Sequence, residues 1–162
     1  LFITSAIFKL NKNFKPNLAY NSLEEKIKQK NLDNIEIENI FNTVCEIRKN
    51  KLPDWKKTPT AGSFFKNPFV NTQKLEKLQQ DFSDIPHFSS QQGIKIPAGW
   101  LIEKIENKLN STKGVKTYEN HSLVIINPGE KSGDKVKELA NQIKQKVMQT
   151  FGIKLNTEVK IW

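Results

Sequence analysis

Apolar residues recur along this chain with two different spacings, and each spacing predicts an element. In residues 2–10, Ile3, Ala6, Phe8 and Leu10 stand among polar Thr4 and Lys9, which reads as a strand. Residues 11–17 form a polar loop with Pro16. Residues 22–30 read as a short helix, capped by Asn21 or Ser22 and with acids in its first turn. Asp33 and Glu36 then make a start like a capping box. Behind it Ile37, Ile40, Phe41, Val44 and Ile47 fall on one face of a helix that ends near Asn50.

The regularity stops at residues 51–62, a long stretch with Pro53, Pro59 and Gly62, and a domain boundary is expected here. A helix capped by Asn71 or Thr72 follows, carrying Leu75, Leu78 and Phe82. Residues 83–93 read as a loop, and Ile94 and Ile96 as a short strand. Pro97 is placed as the first residue of a helix continuing through Trp100 and Glu103. Residues 123–127 are an apolar strand stopped by Pro128 and Gly129. The strongest helix begins at Ser132 or Asp134. Its Val136, Leu139, Ala140, Ile143, Val147 and Phe151 recur at helical spacing, with Gly152 as its stop. Ile153, Leu155, Val159 and Ile161 predict a final strand over residues 153–162. Helices and strands mix without a regular βαβ repeat, so the class is α+β, with a small mixed sheet packed against helices.

Composition changes this picture little. With 162 residues, one domain or one and a half is expected, enough for a real core. No apolar run approaches the ~18 residues of a membrane span, and the apolar start lacks a basic flank and a cleavage site. No membrane association is therefore expected. A single cysteine, Cys45, leaves no intramolecular disulfide and suits a reducing cytosol. The first residue is not Met and lies inside a strand-like run, which predicts a fragment or a trimmed tail.

Charge points to anionic partners. The formal net charge is +9, which favours nucleic acid, anionic lipid or a phosphorylated small molecule. Interspersed glutamates, as in Lys74-Leu75-Glu76-Lys77, dilute any single-sign patch, so a solvated lysine surface is the other reading. Trp55-Lys56-Lys57 and Phe64-Phe65-Lys66 could stack on single-stranded nucleic acid, or the phenylalanines could plug a core. Metal chemistry is not expected: His87 and His121 are far apart and Cys45 has no CxxC partner. No glycine-rich phosphate loop occurs. Thr60-Ala61-Gly62-Ser63 is more suggestive. Small residues admit a ligand close to the backbone, and a tuned Ser hydroxyl can deliver a proton to a carbanion; a plain turn is the alternative.

At this point the residues resemble a known family. Lys51-Leu52-Pro53-Asp54 followed by Ala61-Gly62-Ser63-Phe64-Phe65-Lys66-Asn67-Pro68 is similar to the signature of the UDP-N-acetylenolpyruvoylglucosamine reductases. Ile96-Pro97-Ala98-Gly99-Trp100-Leu101-Ile102-Glu103 resembles a second block, His121-Ser122-Leu123-Val124-Ile125-Ile126-Asn127 a third, and Glu158-Val159-Lys160 the end motif. Four blocks in family order are a far more specific signal than any one.

The resemblance implies a cytoplasmic bacterial enzyme of peptidoglycan precursor synthesis. NADPH would reduce a bound FAD, and hydride would pass to the enolpyruvyl double bond of UDP-N-acetylglucosamine enolpyruvate, giving UDP-N-acetylmuramate. It implies Ser63 as the acid that protonates C2 and Glu158 as the carboxylate beside the developing enol. By the same resemblance Lys51 meets the nucleotide phosphates or the substrate carboxylate, while Gly62, Asn67 and His121 lie against the substrate. For His121 an ordinary strand-edge histidine is the other reading. Lys160 stands where Arg is expected; it keeps the charge and loses the planar fork.

Two departures narrow this. The FAD-binding region of the family has almost no counterpart here, so FAD and NADPH would both need that missing part. A substrate-contacting Tyr of one family subtype should fall just before Leu1. Residues 1–51 are then expected to be the last strand and helices of the FAD-binding domain, and residues 52–152 the substrate-binding domain. Residues 153–162 would be a returning strand that carries Glu158. A UDP-sugar is the expected partner, with no nucleic acid and no obligate protein partner unless the FAD half is a separate chain. The rival expectation is a non-enzymatic basic module for RNA or another anionic ligand.

Overall fold

Hydrogen-bonded strands occur only beyond Lys51 among the described residues, which are 2–31, 34–109, 114–129 and 132–161 of this computed structural model. The chain divides into two compact units, Leu1–Lys51 and Leu52–Trp162.

The first unit pairs helix α1 (Asn21–Gln29) with helix α2 (Ile37–Lys51). Leu23, Ile27 and Thr43 are buried. Lys26 and Lys30 both reach Glu46, at 2.6 and 3.6 Å, and the hydrogen bond from Lys26 holds that carboxyl below its ordinary range. The cap position of α1 is Tyr20, one residue before the expected Asn21 or Ser22, and Tyr20 makes no side-chain cap bond. Asp33 of the expected capping box lies outside the described residues. At Glu36 the roles are reversed: its N–H donates to Asn39 Oδ1 at 2.8 Å. The apolar stripe of α2 is also rotated from the expected one, since Ile37 and Phe41 are exposed while Thr43 is buried.

The expected strand at residues 2–10 does not form. Phe2, Ile3, Ile7, Phe8 and Leu10 are exposed. Alternation says which face a strand would bury, but a strand exists only with a ladder partner, and this unit has no strand among its described residues.

The second unit holds two three-stranded sheets, and every described pairing is antiparallel rather than mixed. One sheet has the order β1 (Thr60–Ser63), β6 (His121–Ile126), β5 (Lys116–Tyr118). The other has β2 (Phe69–Val70), β4 (Gly93–Lys95), β3 (Phe88–Ser90). The α+β class is as expected. The loops expected at residues 51–62 and 83–93 instead contribute residues 60–62 to β1, residues 88–90 to β3 and Gly93 to β4. These strands are only a few residues long and carry no apolar alternation to announce them. The hairpin between β3 and β4 is fixed by Ser90, whose Oγ donates to the Gly93 carbonyl and accepts from Gln92 N–H. The expected final strand at residues 153–162 contributes one bridge, between Thr157 and Phe65, rather than a ladder.

Three helices close the core. In α3 (Thr72–Asp81), Asn71 caps the start by accepting from Lys74 N–H at 2.9 Å, and Leu75 and Leu78 face inward. In α5 (Gly133–Phe151), Ser132 accepts from Asp134 N–H, and Leu139, Ala140, Ile143, Val147 and Phe151 form the buried stripe. Gly152 ends α5 in the left-handed region at φ +59, where a Cβ would lie 2.8 Å from the Lys74 ammonium. Helix α4 (Ala98–Glu103) starts one residue later than expected, with Pro97 as its cap position. Pro97 has no side-chain donor or acceptor to spend on the helix start. Asn67, 31 residues earlier, supplies one instead: its Oδ1 accepts from Ala98 N–H at 2.8 Å. Trp100 stacks edgewise on Phe82 and tilts on Phe151. Lys104 then bridges to Asp84 at 2.8 Å, a hydrogen bond that keeps the Asp84 carboxyl below its ordinary range.

Two outcomes test this packing. All three tryptophans lie in the second unit, so their fluorescence during urea unfolding reports that unit. Ile143 is fully buried, and Ile143→Ala is expected to lower its unfolding free energy by about 2–5 kcal/mol. Asn67→Ala strands the Ala98 N–H and is expected to cost about 1–3 kcal/mol. An unchanged urea midpoint for Asn67→Ala would mean that the α4 start has another acceptor.

Candidate active site

Ser63 is the last residue of β1, and everything around it follows from a fault in that strand. Thr60 pairs with Ile126 and Ser63 with Val124, so three steps along β1 match two along β6. The extra residue makes a bulge, which bends a strand and re-aims its side chains. Gly62 sits in it at φ +76, with open space where a Cβ would be. The glycine is therefore required by the backbone conformation and not by crowding. Its N–H is used internally, donating to Thr60 Oγ1 at 3.0 Å. Ser63 is exposed, while Phe64 and Phe65 are both buried. Two consecutive buried residues break strand alternation, and their rings meet edge to face at 5.1 Å.

Beyond Ser63 the chain runs as a middle strand between two neighbours. On one side Phe64 N–H donates to the Leu123 carbonyl of β6 at 2.8 Å. On the other, Glu158 N–H donates to the Phe64 carbonyl and Lys66 N–H to the Asn156 carbonyl, both at 2.9 Å. The returning end of the chain is thus fixed in register against Phe64–Lys66, and Glu158 lies alongside the residue next to Ser63. Glu158 is exposed, flanked by half-buried Thr157 and Val159. Ser63 and Glu158, 95 positions apart in sequence, thus lie on adjacent stretches of backbone, joined by the bonds of Phe64 with Glu158 and of Lys66 with Asn156.

The other expected site residues are placed unequally. His121 begins β6 and pairs with Tyr118; it is half-buried and three residues before Val124, the partner of Ser63. Asn67 is committed through its Oδ1 to the start of α4, which leaves its Nδ2 for other contacts. Lys160 is exposed two residues past Glu158. Lys51 ends α2 and belongs to the first unit.

Sequence reasoning missed two features here. The first is a cavity of about 350 Å³ between residues 66–70 and the returning segment, to which Lys66, Asn67, Lys154 and Asn156 contribute polar groups. A larger recess of about 640 Å³ lies between α5 and the same segment, with Lys144 and Lys154 on its walls. The second is a row across the small sheet. Phe69 and Phe88 both pair with Lys95, so the three side chains share one face. Both rings are exposed, and the Lys95 ammonium lies 5.7 Å from the Phe88 centroid. Such a row offers flat apolar faces beside a cation, a surface for a planar anionic ligand. The turn is Gln91 and Gln92, and the register that aligns the row appears only after pairing.

With this geometry in view, comparison with known proteins is direct. The description "UDP-N-acetylenolpyruvoylglucosamine reductase, C-terminal domain" matches residues 53–162. A UDP-N-acetylenolpyruvoylglucosamine reductase of Pasteurella multocida is 40% identical over 94% of this chain and 44% of its own length. The enzyme of that name from Flavobacterium johnsoniae is 34% identical over 98% of the chain and 48% of its own. That from Buchnera aphidicola subsp. Schizaphis graminum is 39% identical over 93% and 43%. The chain therefore spans less than half the length of these curated relatives. It belongs to the UDP-N-acetylenolpyruvoylglucosamine reductase family and carries that family's C-terminal domain.

Proposed function

We propose that this chain is the substrate-binding, proton-donating part of a cytoplasmic reductase that converts UDP-N-acetylglucosamine enolpyruvate to UDP-N-acetylmuramate. The observation that carries this reading is the backbone register that sets Glu158 beside the strand of Ser63. Bound FAD, reduced by NADPH, would supply the hydride. Holding it falls mainly to the part of the relatives that this chain does not match, with residues 1–51 as the edge of that domain. The exposed apolar side chains of residues 2–10 support that assignment, because unpaired alternating segments find stability by joining a sheet.

The chain's own residues do the rest. Ser63 donates its hydroxyl proton to C2 of the enolpyruvyl group once hydride has reached C3. Its exposure lets water restore the proton afterwards. Glu158 polarises the developing enol. Lys66 and Lys154, with Asn156, offer charge and hydrogen bonds to an anionic ligand in their cavity, and the Phe69–Lys95–Phe88 row suits a nucleotide. Lys51, His121 and the Asn67 amide nitrogen are further contacts under this reading, and Lys160 supplies charge without the fork of an arginine.

A hybrid tests the proposal: this chain joined behind the portion of the Pasteurella multocida relative that precedes the matched segment. The hybrid is expected to purify with flavin and to oxidise NADPH only with the enolpyruvyl substrate. Ser63→Ala is expected to lower turnover about 10²–10⁴-fold while flavin is retained. Full turnover by that variant would remove Ser63 as the proton donor. On the chain alone, titration with a UDP-sugar and with a short RNA separates the readings. Tight RNA binding with a steep salt slope, and no affinity for the UDP-sugar, would favour a basic nucleic-acid module.

A further inference from the structure

Thr60 has no part in the chemistry above, yet its hydroxyl makes two bonds that a ladder would normally make through the backbone. The regular pairing of β1 with β6 is intact on both sides of the bulge: Asn127 N–H donates to the Pro59 carbonyl at 2.9 Å, and Phe64 N–H to the Leu123 carbonyl at 2.8 Å. Between them the extra residue throws the two strands out of step. Thr60 Oγ1 fills the gap. It donates to the Ile125 carbonyl at 2.9 Å and accepts from Gly62 N–H at 3.0 Å. One hydroxyl thus links a donor and an acceptor that the bulge has separated. A bulge without such a link would have other ways to relax. Gly62 has open space beside it and a backbone free to leave φ +76. Slipping back to regular register would turn the residues after it to the opposite face.

We infer that Thr60 is the positioning residue for Ser63: its side-chain hydroxyl locks the bulge that leaves Ser63 exposed, one residue before the backbone bond of Phe64 with Glu158. The inference rests on the reading of Ser63 as proton donor, and it concerns no contact between Thr60 and substrate. Threonine suits the task because its methyl group can stay part-buried against the sheet while the hydroxyl both gives and takes a hydrogen bond. Valine keeps the shape and removes both bonds. Serine keeps both bonds and removes the methyl.

The experiment uses these two replacements. In the flavin-containing hybrid, Thr60→Val is expected to lower kcat about 10²-fold, the scale of a small misplacement of a reacting group, with KM changed less than about threefold. Thr60→Ser is expected to recover most of the loss. Because Thr60 acts through Ser63, the double variant Thr60→Val/Ser63→Ala should be no slower than Ser63→Ala. A further additive loss would show a general structural role and overturn the inference. So would a Thr60→Val enzyme with normal kcat in a hybrid where Ser63→Ala is slow. If Ser63→Ala itself turns over normally, the proton-donor reading fails instead, and the two failures are distinguishable. Amide exchange on the chain itself gives a readout that needs no activity. Gly62 N–H is expected to exchange at least about tenfold faster in Thr60→Val and not in Thr60→Ser, with the Phe64 N–H unchanged. Equal protection of Gly62 in all three proteins would overturn the lock.

Discussion

The structure of the second unit turns on one short segment that is hydrogen-bonded on both sides. Phe64–Lys66 takes a bond to β6 through Leu123 and bonds to the returning end through Asn156 and Glu158. Neither neighbour would hold the segment alone in this register, since each contributes only a few bonds. The burial of Phe64 and Phe65 fixes it from within: both rings belong to the main core with Leu139, Ile143 and Val147 of α5. The polar surface of the segment is thus anchored by its apolar one. Exposed Ser63 and Glu158 inherit a position set by residues that no ligand would touch.

The same economy appears at Asn67. A residue beside the charged cavity spends its carbonyl oxygen on α4. Helix α4 is only six residues long, and an isolated helix of that length is unstable in water. Its stability comes from Ala98, Leu101 and Ile102 in the core and from the one N-terminal bond that Pro97 cannot provide. Loss of that bond would loosen the helix start and the cavity wall together. A site contact and a structural tie at Asn67 are therefore compatible, because the amide has two ends.

The helices were largely legible in the sequence because their signals are local. Asn71, Ser132 and Gly152 mark ends where the structure has them, and the period of α5 selects the buried stripe directly. Of the strands, only β6 and the short β4 around Ile94 were legible, the first by its apolar run and the second by its pair of isoleucines. In β1 and β2 the ladder is decided by partners far away in sequence, and in these strands as in β3 and β5 two to four residues cannot carry an alternation. The face of α2 was misread for a related reason. Periodicity names an apolar stripe, but the partner chooses which part is covered, and Thr43 is buried while Phe41 is not. At the site, Ser63 and Glu158 came from a resemblance between blocks. What joins them, the register of residues 156–158 on 64–66, has no local sequence signal. The Thr60 hydroxyl was missed because a threonine in a small-residue run looks like part of a turn.

This difference in legibility has a physical consequence for how such a site tolerates change. A side chain that acts by its chemistry, such as the Ser63 hydroxyl, has few substitutes, so its block of sequence stays recognisable. A side chain that acts by holding backbone, such as Thr60 across the bulge, need only bridge one donor and one acceptor about 6 Å apart along two hydrogen bonds of ordinary length. Several small polar residues meet that requirement. The lock on the bulge is therefore specified more by where it sits than by which residue fills it. The glycine beside it is the less replaceable partner, because a left-handed φ of +76 excludes most other residues.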